Sequence, residues 1–465
     1  MATIEGDVLV LGLGRSGRAA ACYLAGLAAA GAPLSVTVVD EAPEESTGTA
    51  AEEMRSLGVT VVTGTHDVSG RFDLVVASPG ISPDSRLMAA ARASAPEVIS
   101  ELELAWRVSH SPWVAITGTN GKTTVTALTA HLLEGAGMTA ETVGNIGKPA
   151  ISISPDTDAG TILVAEVSSF QLALTRDFHP RIAVLLNITP DHLDWHGTMA
   201  AYAADKARVF ANMGPGDLAV IDVDDPGSAP WAETVQGRGV TVARVSLHRL
   251  PEGGAGLVEG MLVVDTPGGP RSIAGRSDLQ IRGDHNVSNA LAACASAVGA
   301  GADPTALSEP LRSFKPIEHR LEPVGCVGGV DYYDDSKATN PDSVAKALTA
   351  FGERDLIVLL GGRNKDNDFR PLARHVARRC RGAIVFGESA GELTDAFAAT
   401  GMEPTVCSTM ASAVAAAGRL AKAGGVVLLS PGCASFDEFA DYAHRGRAFA
   451  ALVETLAAED RGGRR

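Results

Sequence analysis

Thr117-Gly118-Thr119-Asn120-Gly121-Lys122-Thr123-Thr124 lies between a short apolar run, Trp113-Val114-Ala115-Ile116, and a helix-forming stretch that runs from Val125 to Leu133. The order strand, glycine loop, helix is that of a phosphate cradle. Backbone N–H groups of the loop and of the first helical turn point at an anion, a lysine supplies positive charge, and a threonine hydroxyl reaches Mg²⁺. The usual loop is longer. Here Gly118 precedes Gly121 by only three positions, and Ile116 stands where the longer loop would begin.

Upstream, Val8-Leu9-Val10-Leu11 reads as a buried strand, followed by Gly12-Leu13-Gly14-Arg15-Ser16-Gly17 and an alanine-rich helix to about Ala30. Val36-Thr37-Val38-Val39 makes a second strand that ends in Asp40. This is a dinucleotide-type fingerprint, in which glycines permit a tight turn against a pyrophosphate and the acidic residue meets a ribose or base. Any nucleotide diphosphate satisfies the same geometry. Leu74-Val75-Val76-Ala77 runs into Ser78-Pro79-Gly80-Ile81, a turn placed to face the same ligand. The first domain is expected to end near Ser111-Pro112.

Downstream, Thr161-Ile162-Leu163-Val164-Ala165 runs into Glu166-Val167-Ser168-Ser169-Phe170-Gln171, and Ile182-Ala183-Val184-Leu185-Leu186 runs into Asn187-Ile188-Thr189-Pro190-Asp191-His192-Leu193-Asp194. Adjacent parallel strands deliver their carboxyl ends to one edge, so Thr123, Glu166 and His192 are expected to converge on a metal. Lys206 sits in a helical pattern where the default is a solvated cation. Residues 220–275 read as small sheets and turns without a catalytic signal. Asn286 and Asn289 open a further helix three residues apart on one face, suited to a base or phosphate contact. Near His319-Arg320 a fresh alternation of strands and helices begins. Residues 331–341, Asp331-Tyr332-Tyr333-Asp334-Asp335-Ser336-Lys337-Ala338-Thr339-Asn340-Pro341, read as a polar loop, and the strands ending at Leu360, Phe386 and Ser430 each deliver polar residues at their carboxyl ends.

The fold class expected is therefore α/β, in three consecutive domains. Residues 1–111 are Rossmann-like, 112–317 a central phosphate-loop domain on a mostly parallel sheet, and 318–465 Rossmann-like again. The chain has 465 residues and a formal net charge of −16, which argues against nonspecific nucleic-acid or anionic-membrane binding. Its six cysteines are scattered, with no C-x-x-C pair. That pattern, with no signal peptide and no apolar run of membrane-spanning length, leads to the expectation of a reduced, cytoplasmic protein.

Together these residues resemble the Mur ligase family of ATP-dependent amide-forming enzymes. The short Thr117–Thr124 loop, Glu166-x-Ser-Ser-Phe-Gln-Leu172, Asn187-Ile-Thr-x-Asp-His192-Leu-Asp, the Lys206 helix, His285-Asn286-x-x-Asn289-Ala and His319-Arg320 all match its pattern. Gly12–Gly17, Ser78-Pro-Gly-Ile81, Asp335-Ser-Lys-Ala-Thr-Asn340 and Ser430-Pro-Gly-Cys-Ala-Ser435 match the branch that adds D-glutamate. The Asp-Asn-Pro-Arg of the diaminopimelate- or lysine-adding branch is absent. A folylpolyglutamate-type ligase is disfavoured by the amino-terminal nucleotide domain, and a nonenzymatic nucleotide sensor by the intact loop lysine and metal ligands.

The resemblance implies three small-molecule substrates, ATP, UDP-N-acetylmuramoyl-L-alanine and D-glutamate, acting on a monomer. Gly14, Arg15, Ser16, Asp40, Ser78, Gly80 and Asn145 would hold the uridine substrate. Gly118, Thr119, Asn120, Gly121, Lys122, Thr123, Thr124, Asn286, Asn289, Arg320 and Asp335 would hold ATP. Two Mg²⁺ ions, with Mn²⁺ as a substitute, would be bound by Thr123, Glu166, His192 and a Lys206 carbamylated by CO₂, a reaction that needs the neutral amine. Lys122, His192 and Lys206 carry the catalytic roles, metal ligation and proton acceptance competing for the His192 imidazole. Lys337, Thr339, Lys365, Ser435, the backbone near Phe436, and Tyr442 would receive D-glutamate, with Tyr442 replacing a Phe found in some relatives. Contacts drawn from the third domain imply that it closes when ATP binds.

Overall fold

The computed structural model describes residues 4–351 and 355–463. Among them lie three sheets in two compact units. The first unit comprises the chain up to Ile188, Trp195–Gly275 and Asn289–Leu311; the second comprises Thr189–Asp194, Arg276–Ser288 and the chain from Arg312 onward.

The amino-terminal sheet of the first unit has five parallel strands in the order Thr60–Thr63, Leu34–Asp40, Gly6–Leu11, Leu74–Ala77, Val98–Ser100. Val8 to Leu11 are all fully buried, as expected for a strand covered on both faces. The chain leaves the central strand toward one side and returns on the other. The crevice at that reversal lies between Gly6–Leu11 and Leu74–Ala77, so it is flanked by the Gly12 loop and Ser78.

The nine-stranded sheet runs Gly269–Gly275, Met261–Thr266, Ala255–Val258, Thr241–Ser246, Leu218–Asp222, Ile182–Leu185, Trp113–Thr117, Thr161–Glu166, Thr139–Gly144. Its last six strands are parallel to one another; the first three form an antiparallel edge. The expectation of small sheets and turns over residues 220–275 needs correction. Leu218–Asp222 and Thr241–Ser246 extend the main parallel sheet, joined by a helix, Ala229–Gln236. The dense Gly, Pro and Asp hid that helix, although Pro230 sits in its first turn, where a missing N–H costs nothing.

One apolar core runs between these two sheets, with Trp106 and Trp113 both edge-on to the buried Phe178. Glu103, wholly buried, accepts from the backbone N–H groups of Arg176, Asp177 and Phe178 and pairs with Arg107 at 2.9 Å.

The sheet of the second unit runs Glu322–Val327, Val330–Asp334, Val426–Gly432, Leu356–Gly361, Gly382–Phe386, Thr405–Val406, antiparallel only at its first pair. Alternate residues feed two separate cores. Val358, Leu360, Val426 and Leu428 face one, and Ile357, Leu359, Val427 and Leu429 the other. Here the polar stretch needs correction too, because residues 331–334 are strand and only Asp335 onward is loop. Their charge masked the strand; Tyr332, Tyr333 and Asp334 are all buried. No helix among the described residues is long and apolar enough to cross a membrane.

Candidate active site

The phosphate loop joins strand Trp113–Thr117 to helix Lys122–Gly135. Its two glycines have φ of 155° and 86°, a region that side chains avoid. A Cβ at Gly121 would stand 2.5 Å from Asn289 Oδ1, and one at Gly118 would stand 3.0 Å from Leu186 Cβ. The loop is braced by Asn187 from the neighbouring strand end. Thr119 N donates to its carbonyl (2.8 Å), Asn120 N to its Oδ1 (2.8 Å), and its Nδ2 to the Asn120 carbonyl (3.1 Å). Lys122 Nζ curls back on the loop, donating to the carbonyls of Gly118 and Thr119 at 2.9 Å each. Thr123 and Thr124 are buried at the helix start.

Two further groups lie close by, one on the adjacent strand and one bonded to the loop itself. Glu166, 3% exposed, ends the strand beside Trp113–Thr117, in register with Ile116. Asn145 Nδ2 donates to its Oε1 at 2.9 Å. Lys206 is not the solvated cation of the helical default: it is 2% exposed, donates to the Gly118 carbonyl at 2.8 Å and lies 4.7 Å from the Tyr202 ring centroid. A hydroxyl and a buried carboxylate at one sheet edge are hard oxygen donors, the set that suits Mg²⁺ or Mn²⁺.

The segment around Asn145 also reaches the amino-terminal sheet. Arg15 Nη1 donates to the Gly147 carbonyl at 3.0 Å, and the Ile151 N–H donates to Glu101 Oε1 at 2.7 Å. Burial pushes the Glu101 carboxyl up to about 7. Glu101 had no sequence signal, since a Glu opening a helix usually faces water.

At the amino-terminal crevice, Ser78 Oγ is buried without a hydrogen-bond partner among the described residues. A Cβ at Gly17 would stand 2.7 Å from it. A buried hydroxyl beside a glycine loop, with no partner among the described residues, has a hydrogen bond to give to a ligand in the crevice. Gly14, Arg15 and Gly80 are exposed and Ser16 half-buried around it. Asp40 ends the strand Leu34–Asp40 beside the Gly12 loop. Both its carboxylate oxygens take backbone N–H groups, from Leu13 (2.5 Å) and Ala42 (2.7 Å), so it shapes the loop.

In the second unit, His192 has φ 53° and its N–H donates to Asp191 Oδ1 at 3.0 Å. Asp191 in turn accepts from Asn340 Nδ2 at 3.1 Å. The structure thus places Thr123, Glu166 and Lys206 in the first unit and His192 in the second. Asn286 Nδ2 donates to the Arg282 carbonyl. His285 is held neutral, with burial beside Lys346 and Arg320 lowering it to about 4. Asp335 is raised to about 7 by burial, although Ser430 Oγ donates to it at 2.7 Å. Arg320 Nε is buried without a partner among the described residues.

The loops after three neighbouring strands carry Lys337 and Thr339, Lys365, and Ser435 and Phe436. Lys337 Nζ lies 5.2 Å from the Tyr442 ring centroid. Ser435 is buried, Thr339 and Lys365 half-buried, and Phe436 exposed. One residue that the sequence reading missed ties them. Arg445, wholly buried, donates to Ser336 Oγ (2.9 Å), to the Ser336 carbonyl (2.8 Å), to the Cys433 carbonyl (3.1 Å) and to the Gly361 carbonyl (3.5 Å). An Arg in a long polar helix defaults to solvent, so nothing local marked it.

These sheet edges define a phosphate-loop α/β protein with a nucleotide-type crevice in its amino-terminal sheet and a third, separately cored α/β sheet. Residues 116–297 match the Mur ligase middle domain, and residues 319–433 the Mur ligase glutamate ligase domain. The UDP-N-acetylmuramoylalanine–D-glutamate ligase of Pelotomaculum thermopropionicum is 43% identical over 453 residues, 97% of either chain. That of Koribacter versatilis is 39% identical over 456 residues, 98% of either chain. The solved structure of a pseudomurein peptide ligase type C from Methanothermus fervidus shares the fold at TM-score 0.61 and 17% identity, covering 97% of this chain and 99% of that one. The chain belongs to the Mur ligase family of ATP-dependent ligases.

Proposed function

We propose that the chain joins the amine of D-glutamate to the terminal carboxylate of UDP-N-acetylmuramoyl-L-alanine at the expense of ATP, in peptidoglycan precursor synthesis. The observation that carries the reading is the burial of Glu166 and Lys206 beside a phosphate loop already holding Lys122 and Thr123. The names of the full-length relatives give its substrates. In this reading residues 1–111 hold the uridine substrate, 112–317 ATP, and 318–465 D-glutamate.

A carboxylate is a poor electrophile, so it first attacks the γ-phosphorus and ADP leaves. The amine then adds to the carbonyl carbon of the acyl phosphate, loses a proton, and the tetrahedral intermediate expels inorganic phosphate. Two anions meet in the first step. Their repulsion would be screened, and charge on the transferring group stabilised, by Mg²⁺ once bound. Thr123, Glu166 and a carbamylated Lys206 would hold it, and His192 keeps the ligand or amine-orienting role that the family gives it. Lys122 places a fixed positive charge at the loop, and its N–H groups orient the phosphates. Asn145 fixes Glu166 from one oxygen and offers the acceptor an amide at the same edge. Lys337, Thr339, Lys365, Ser435, Phe436 and Tyr442 supply the donors and the apolar cover that the two carboxylates and the methylenes of D-glutamate need.

Acceptor labelled with ¹⁸O in its terminal carboxylate tests the chemistry. One ¹⁸O atom should appear in each phosphate released. Label retained wholly in the peptide product would exclude the acyl phosphate.

A further inference from the structure

Beyond the residues that the proposed reaction uses, Ser169, His196 and Asp205 form one hydrogen-bonded chain. His196 Nδ1 lies 2.8 Å from Asp205 Oδ2, and its Nε2 lies 2.9 Å from Ser169 Oγ. A carboxylate only accepts, so in the neutral ring Nδ1 carries the proton and Nε2 receives the Ser169 hydroxyl. The order is that of a nucleophilic triad, but the surroundings exclude that use. Ser169 is 3% exposed, and the ring is enclosed by Phe170, stacked at 5.4 Å, by Trp195 at 4.4 Å and by Tyr202 at 5.0 Å. No acyl group reaches the hydroxyl.

What the chain does is join two segments that carry the metal-side residues. Ser169 follows Glu166 by three positions, in the short helix Ser169–Leu172. Asp205 immediately precedes Lys206 in the helix Met199–Ala207. That helix is also held to the phosphate loop, through Tyr202 Oη and Thr119 Oγ1 at 3.1 Å and through Lys206 itself. The Ser169–His196–Asp205 link thus connects the segment after Glu166 to the residue before Lys206, beside the strand pairing of Glu166 and the Lys206–Gly118 bond.

We infer that Ser169, His196 and Asp205 are positioning residues that fix Glu166 and Lys206 for divalent-cation binding, which rests on the proposed reading of those two as metal-side groups. Groups that orient metal ligands without touching the ion typically change affinity by about 10- to 100-fold when removed. The test is a Mn²⁺ titration of the full chain with a nonhydrolysable ATP analogue, free Mn²⁺ being counted by electron paramagnetic resonance. Ser169→Ala, His196→Phe and Asp205→Asn should each raise the Mn²⁺ Kd by about tenfold or more. Ser169→Ala with His196→Phe should be no worse than the poorer single variant, because one break already disconnects the link. Ser169→Ala removes one hydroxyl and little volume, so the answer survives if His196→Phe does not fold. Folded variants with a lowered Tm but a Mn²⁺ Kd within about twofold of the parent would overturn the inference and leave only a packing role. Glu166→Gln separates the two levels. If it raises the Kd while the three positioning variants do not, the inference alone fails. If it leaves the Kd unchanged, the metal reading fails and the inference with it.

Discussion

Lys122→Ala is expected to abolish ADP release, lowering kcat/KM by on the order of 10³-fold or more. Lys122 is the lysine of the loop itself, and its Nζ is already gathered at the loop mouth by the Gly118 and Thr119 carbonyls. The backbone N–H groups that cradle the phosphates survive the change, as does the Asn187 brace. Nucleotide binding should therefore weaken less than turnover falls, because the cation acts most on charge that develops during transfer. Alanine is a good helix former, so the helix that starts at this position should persist and Tm should move little. A coupled ADP assay checks the rate and a thermal melt the fold. Turnover within about tenfold of the parent would contradict phosphoryl transfer at this loop.

Lys206→Ala should be nearly as damaging, and its remedy is diagnostic. The side chain is 2% exposed, lies over the Tyr202 ring and reaches the Gly118 carbonyl, so truncation opens a space at the phosphate loop. If Lys206 works as a carbamate, the missing piece is an anionic oxygen donor on a short stem, and a small carboxylate fits that role. Activity should fall by on the order of 10² to 10³-fold and recover by about tenfold in millimolar acetate, while chloride at equal ionic strength does nothing. Parent-like activity without acetate would remove the carbamate from the mechanism.

Much of this was legible in the sequence because the chemistry is written in contiguous stretches. Thr117–Thr124 showed strand, loop and helix by itself, and Gly12–Gly17 with Val36–Asp40 showed the amino-terminal sheet. Glu166 was legible as a carboxylate directly after a buried strand. Residues whose roles depend on distant partners were not. Arg445, Glu101 and His196 lie in helices where a polar residue normally faces water, and only the folded chain reveals that three strand-end loops, one backbone N–H and a Ser–Asp pair converge on them. Lys206 would have read as solvated without the family resemblance. Asp40 was legible as the acid that ends the second strand, but its hold on the Leu13 and Ala42 N–H groups was not. The strand Val330–Asp334 was obscured because burial there is achieved with Tyr and hydrogen-bonded Asp; Asp334 Oδ1 accepts from Ser336 N and Oδ2 meets His319 Nδ1 at 2.6 Å. Charge in the sequence suggested loop, whereas satisfied charge is compatible with a core strand.

The most direct measurement is ADP release with UDP-N-acetylmuramoyl-L-alanine as acceptor, comparing D-glutamate, L-glutamate, L-alanine and a dibasic amino acid under one set of conditions. D-Glutamate should be the clear best substrate, with release requiring both it and the acceptor. Turnover led by any of the other three would contradict the assignment.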